Sequence, residues 1–372
     1  MEYFFYIFRQ EIKTLQAPWE VSSILRQMPL TSPETSDTKE TIMIRFSVLG
    51  CGRIGTMHAR NLARHPQAKL VSVFDVFTKA SDAMAAELGV RAAQSVDEVL
   101  ADAEVDAVLI ATSTDTHVEL ITRAARAGKA ILCEKPIALD MKKVEACWAE
   151  IGTLGATVMI GFNRRFDPSF RAVHDRMTAG EIGKLEQLII TSRDPGPPPI
   201  SYINVSGGLF RDMTIHDFDL ARYFAGDIVE VQAFGANLVD PAIKDAGDID
   251  AAMVTMRAAS GALIHINNSR RASYGYDQRL EAFGEKGMLI AGNKTATSVQ
   301  SFSAAGTGQG DVVLPFFIER YADAYAAEIA NFVESVAGGK TPLTSFRDGA
   351  EALRLADAAL ESLQTGRIVK IG

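Results

Sequence analysis

From residue 44 onward, short apolar runs alternate with longer stretches in which apolar residues recur every three to four positions. Runs of the first kind are too short for helices and apolar at successive positions, as strands covered on both faces must be. The spacing predicts strands at 44–49, 69–74, 107–111 and 130–133, and helices at 53–64, 79–88 and 117–127, the last closed by Gly128. One more helix and strand lead to Gly161. Strand and helix repeated in this way form a parallel sheet with crossover helices, a Rossmann-type half.

The rhythm changes past Leu139, and after Gly161 strands dominate. Strands are expected at 185–193, 228–238, 251–258, 261–269, 278–284 and 288–291 without regular helices between them, and two closing helices at 321–337 and 346–364. The predicted fold class is therefore α/β: a Rossmann dinucleotide-binding domain over 43–164, then an α+β domain over 165–372 with a large, mostly antiparallel open sheet. Pro195-Gly-Pro-Pro-Pro199 reads as a loop. The opening 1–42 differs from the rest, with an aromatic start and a Ser/Thr/Pro/Glu stretch at 31–41. It is expected to be a disordered extension or to follow a start assigned too early. Glu2 and the missing basic n-region argue against a signal peptide, and the apolar run is too short to span a membrane.

Composition narrows the class of partner. A chain of 372 residues exceeds one ordinary core, and 47% hydrophobic with 23% charged residues suits a globular protein. A net charge of −8 leaves no basic excess for nucleic acid or anionic lipid, the pair Arg270-Arg271 included. Cys51, Cys133 and Cys147 are odd in number and irregularly spaced, which favours a reducing, cytoplasmic setting without disulfides. The six histidines are scattered, so no metal is expected.

The chemistry-bearing motifs lie at strand ends. Gly50-Cys51-Gly52-Arg53-Ile54-Gly55 stands between a strand and a helix, where the glycines allow a tight turn, pyrophosphate approach and helix-to-strand packing. Asp75 follows at the end of the second strand, placed to bind an adenosine ribose and repel a 2′-phosphate, so NAD is expected rather than NADP. Thr112-Ser113-Thr114-Asp115-Thr116-His117 is a hydroxyl-rich turn where the middle of the cofactor would lie. Thr112, Thr114 and His117 are candidate contacts there, although Thr114 or Asp115 could equally cap the following helix. Glu134-Lys135-Pro136 puts a cation at the carboxyl edge of the sheet, with Lys135 the candidate to hydrogen-bond a reacting oxygen. In Gly207 to Asp219, a helix from about Phe210 would bring Asp212, His216 and Asp219 onto one face. That face would supply a base, an anchor and a carboxylate to orient the imidazole.

Together these motifs resemble the glucose-fructose oxidoreductase and inositol dehydrogenase family, from about residue 44 to the end. The glycine loop, Glu134-Lys135-Pro136 and the Asp212-x-x-x-His216 helix occur in the family's order. The resemblance implies a catalytic triad of Lys135, Asp212 and His216 and cofactor contacts from Glu134 and Lys135. It also implies a homotetramer. The stretches 268–279, 161–168 and 316–321 resemble the inositol-oxidising branch, which makes myo-inositol the expected substrate. A small polyol pocket would then use Asn163, Asp194, Asp212, His216 and Tyr276, with Tyr274 either in the pocket or at a sheet surface or subunit contact. Ser192-Arg193-Asp194 departs from the branch, where some members place His and Asn near substrate hydroxyls. The competing readings are a dehydrogenase for scyllo-inositol or an aldose, and a nucleotide-binding regulator, which would need no proton relay.

Overall fold

Six strands pair in parallel to build the first sheet: β1 (Ile44–Leu49), β2 (Ala68–Phe74), β3 (Arg91–Ala92), β4 (Ala107–Ile110), β5 (Ala130–Glu134) and β6 (Val158–Gly161). Their order is β3-β2-β1-β4-β5-β6, so chain direction across the sheet reverses between β1 and β4. Such a switch point opens a crevice at the carboxyl ends of the strands. Helices α1 (Arg53–Arg64), α2 (Thr78–Leu88), α3 (Val96–Ala101), α4 (His117–Arg126) and α5 (Met141–Ile151) make the crossovers. All four residues of β4 are fully buried, which is why its sequence reads as an uninterrupted apolar run. The short β3 and α3 carry no such run. Only the cap betrays α3, since Ser95 accepts a hydrogen bond from the Glu98 amide. The computed structural model describes residues 42–372, which form one compact unit. The expectation for the opening segment falls, apart from Ile42, outside the described residues.

After α6 (Pro168–Thr178) the chain enters the second sheet through β7 (Leu185–Arg193), followed by α7 (Ile200–Ser206), α8 (Ile215–Ala225), β8 (Ile228–Ala236), α9 (Pro241–Asp245), β9 (Ala251–Ala258), β10 (Leu263–Ser269), β11 (Asp277–Gly284) and β12 (Gly287–Ala291). A separate hairpin, β13 (Gln300–Ser303) and β14 (Gly306–Gly310), precedes α10 (Phe317–Arg320), α11 (Ala322–Gly338), α12 (Phe346–Thr365) and the final β15 (Val369–Lys370). The sheet order is β12-β11-β7-β10-β9-β8-β15, antiparallel throughout except where β7 meets β10. β8 stops at Ala236, before Leu238, because the Leu238, Val239 and Asp240 amides turn away to donate to the Asp250 carboxylate at 2.7–3.0 Å.

Helices α8 and α12 cover one face of this sheet. The other face is bare, exposing Phe234, Met253, Leu263, Phe283, Met288 and Ile290. Helix α11 packs instead on the first sheet, where Phe332 meets Phe46 at 5.9 Å between ring centroids. The Ile160 amide donates to Thr344 O at 2.9 Å, so the segment before α12 covers the β6 edge. The two sheets thus share one core, and β5, β6 and α8 converge at the carboxyl edge of the first. Among the described residues no helix is long and apolar enough to cross a membrane.

Candidate active site

The three glycines of the first turn do separate work. Gly50 adopts φ +99°, and a Cβ there would lie 2.4 Å from Ala111 O. A Cβ on Gly55 would lie 1.8 Å from Gly50 O, so only hydrogen lets α1 sit this close to β1. Gly52 has open space in the Cβ direction. It also caps α1 without a side-chain hydrogen bond, and no acidic residue occupies the first helical turn. An uncapped, acid-free helix start with an open approach fits a dinucleotide pyrophosphate. Asp75 stands at the end of β2, its Oδ2 accepting from the Cys51 amide at 2.7 Å and its Oδ1 from the Phe77 amide at 2.8 Å. The carboxylate therefore braces the glycine loop from the end of the second strand.

In the turn after β4, the Thr112 and Thr116 hydroxyls bond each other at 2.6 Å, and no side chain caps α4. Capping is thus not the role of Thr114 or Asp115. His117 is almost wholly buried, with Nδ1 on Pro136 O at 2.8 Å and Nε2 on Thr112 O at 3.1 Å. Burial lowers its pKa despite those two carbonyls. Both ring nitrogens face backbone, which corrects the expected cofactor contact: His117 ties the β4 turn to the turn after β5.

That second turn carries Lys135, whose bond to Pro136 is cis. The Lys135 ammonium donates to the backbone oxygen of Asp212 at 2.7 Å and lies 3.5 Å from its Oδ1. Glu134 points the other way. Its Oε1 meets His58 Nε2 at 2.8 Å and its Oε2 accepts from the Lys135 amide at 3.3 Å. Glu134 therefore engages the turn itself rather than presenting both oxygens to a ligand.

Residues 210–214 form one π-helical turn before α8 begins at Ile215. Of the three residues expected on one face, Asp219 is the one set apart. Asp219 is fully buried and accepts from Arg165 Nε and Nη2 at 2.9 and 2.6 Å. Asp212 accepts from Tyr202 at 2.9 Å and from Arg270 at 3.2 Å. Neither carboxylate orients the imidazole, and buried His216 Nδ1 has no partner. Burial pushes the Asp212 carboxyl up, but the charges of Lys135 and Arg270 outweigh it and hold it below its ordinary range. Burial, then the charges of Lys135 and Arg164, press His216 well below 6.5, so the ring is a neutral base at neutral pH. The influence of Lys135 on both groups places all three in one neighbourhood.

Around them lie the expected substrate residues. Asn163 is buried with its Nδ2 unpartnered. Asp194 lies 3.8 Å from Arg270 and is pushed up to about 7, mainly by burial and in part by Asp212. Tyr276 is buried beside Phe316 and Tyr321. Tyr274 is exposed and bonds Asp277 and Arg193, at the sheet surface and away from that group. In the departing stretch, Ser192 and Arg164 both bond Asp217 inside the core, while Arg193 faces Asp277.

Arg270 and Tyr202, both bonded to Asp212, are not among the expected site residues. A signal existed: Ile264, Ile266 and Asn268 alternate inward along β10, and Arg270 continues that parity. A second unanticipated group is His58, Glu134 and Glu328, whose ligand-type atoms lie within 4.8 Å of one another. Its closest pair is already hydrogen-bonded, which makes a poor metal centre.

Residues 44–162 match the family described as "Oxidoreductase family, NAD-binding Rossmann fold", and residues 170–290 match the Gfo/Idh/MocA C-terminal domain. The chain is 48% identical over 332 residues to an inositol 2-dehydrogenase of Rhizobium meliloti, covering 88% of this chain and 99% of that one. A crystal structure of a myo-inositol dehydrogenase from Corynebacterium glutamicum superposes with TM-score 0.87 at 50% identity, covering 89% and 99% of the two chains. A Lactobacillus casei scyllo-inositol dehydrogenase with bound NAD(H) and scyllo-inositol superposes at TM-score 0.82 and 30% identity, covering 88% and 99%. Two matched domains in their expected order, on a sheet whose glycine turn is open and uncapped, make this chain a member of the Gfo/Idh/MocA oxidoreductase family.

Proposed function

We propose that this chain is an NAD-dependent inositol 2-dehydrogenase that oxidises myo-inositol at a ring carbinol to 2-keto-myo-inositol. The observation that carries this reading is the docking of the Lys135 ammonium on Asp212 O, 77 residues later, in the turn that leads into the helix bearing His216. The names of its relatives support the same chemistry.

The cofactor would be held by Gly50, Gly52, Arg53, Ile54 and Gly55 at its phosphates, by Asp75 at the ribose, and by Thr112 and Thr114 along its middle. When bound, NAD supplies the hydride acceptor at its nicotinamide. His216, kept neutral, takes the hydroxyl proton, and Lys135 steadies the negative charge growing on that oxygen. The same burial and charges that keep the imidazole neutral also weaken it as a base. Proton loss therefore depends on the nearby ammonium. Asp212 holds that ammonium and, with Asn163, Asp194 and Tyr276, offers partners to ring hydroxyls.

Residues 43–164 serve the cofactor and 165–372 the substrate and subunit contacts. The bare apolar face of the second sheet supports face-to-face pairing in a homotetramer. A reducing, cytoplasmic setting suits three free, buried cysteines. Initial rates of NADH formation over a panel of cyclitols and aldoses, with NAD and NADP, test the reading. Fastest turnover with myo-inositol and NAD is expected. A preference for scyllo-inositol or an aldose would reassign the substrate, and no polyol-dependent NADH formation at all would revive a regulatory role.

A further inference from the structure

Glu328 stands on α11 four residues after Ala324 and four before Phe332, on the face that this helix buries. It has no exposure, and neither carboxyl oxygen has a hydrogen-bond partner. Across from it are Glu134 at the end of β5 and His58 on α1, each with an atom within 4.8 Å. Tyr325, on its own helix, stacks edge-on against His58 at 5.5 Å.

A carboxylate cannot stay charged in such surroundings without a counter-charge; it takes up a proton instead. Two carboxyl groups this close share one negative charge, and hydrogen bonds decide which keeps it. Glu134 accepts from His58 at 2.8 Å and from the Lys135 amide at 3.3 Å, while Glu328 accepts none. The charge belongs on Glu134. Gly161 makes room for that carboxylate, since a Cβ there would lie 3.0 Å from its Oε2. A charged Glu328 would push Glu134, and with it the backbone of Lys135.

We propose that Glu328 is a positioning residue, held as the neutral carboxylic acid with its proton turned toward Glu134, and that it fixes the turn carrying Lys135. The protonation stands on the burial and grouping alone, whereas its kinetic consequence rests on the dehydrogenase reading. Infrared difference spectra of wild type against Glu328→Gln, recorded without cofactor or substrate, should show the carbonyl band of a protonated acid that the variant lacks. Turnover then reads the positioning. Glu328→Gln, which keeps a neutral donor, should retain kcat within about twofold, while Glu328→Leu should lose on the order of tenfold or more with the Kd for NAD little changed.

Absence of the acid band would overturn the proposal. So would a Gln variant as slow as Leu, or a stoichiometric divalent metal in the purified protein. If the Leu variant does not fold, the Gln variant and the infrared band still decide the matter. Because the band needs no turnover, it answers even if the protein oxidises no polyol.

Discussion

The two sides of the site are built by opposite means. On the cofactor side the working surface is backbone: glycines that clear space, an uncapped helix start and one bracing carboxylate, Asp75. On the side proposed for the substrate, and in the core behind it, it is buried charge, with Arg270 among Asp212, Asp194 and Asp248, Arg164 on Asp217, Arg165 on Asp219 and Arg320 on Asp167. A backbone cradle suits a ligand that brings its own strong charge, since amide dipoles need little support. A neutral polyol brings only hydroxyls, and the protein must hold charged groups rigid so that each hydroxyl meets a fixed partner. Paired ions inside a core are a weak source of stability and a strong source of geometry.

That contrast can be broken from either side. The largest effect is expected from His216→Ala and Lys135→Met, which should each lower kcat roughly 100- to 10,000-fold. NAD affinity, measured by fluorescence titration, should stay within about twofold, because neither residue belongs to the backbone cradle. Next, Arg164→Met leaves Asp217 buried beside Ser192 and Asn268 without its cation. Unfolding in urea should show a loss of about 3–5 kcal/mol, as for other broken buried pairs. A smaller effect is expected on the cofactor side. Gly52→Ala has room in the protein but occupies the phosphate approach, and should weaken NAD about tenfold, or 1.4 kcal/mol, with unfolding unchanged. Gly55→Ala should lower stability as well, since its Cβ meets Gly50 O.

The mildest test is pH. The folded pKa of His216 lies well below its unfolded value near 6.5. Its contribution to stability is therefore complete above about pH 6.5 and is lost as pH falls below that toward the folded pKa, because the unfolded chain binds the proton first. The acid limb of kcat should likewise fall below pH 6.5. A limb centred above pH 7 would mean that His216 is not the base.

How much of this could be read from the chain depends on the kind of pattern each feature leaves. The parallel strands were legible because burial on two faces demands continuous apolar runs, and the glycine turn because each glycine answers a steric need. The pairing of Asp219 was not legible, since Arg165 lies 54 residues away and only the folded chain joins them. Nor was the π turn at 210–214, whose sequence is compatible with an ordinary helix. The contacts of Asp212 with Lys135, Tyr202 and Arg270 likewise join distant parts of the chain. Arg270 and Glu328 were legible in principle, the one by strand parity and the other by helical spacing, because each ionisable residue occupies a core position in an otherwise apolar series. A charge on a buried face marks function or pairing more sharply than a charge in an exposed cluster.

Lys135 and His216 are expected to act on one hydroxyl. A crystal structure of the protein with NADH and myo-inositol tests it most directly. The expected result is a single ring oxygen within hydrogen-bond reach of both the Lys135 ammonium and the His216 imidazole, beside the nicotinamide. A substrate held by only one of them, or a dinucleotide seated away from the Gly50–Gly55 turn, would contradict it.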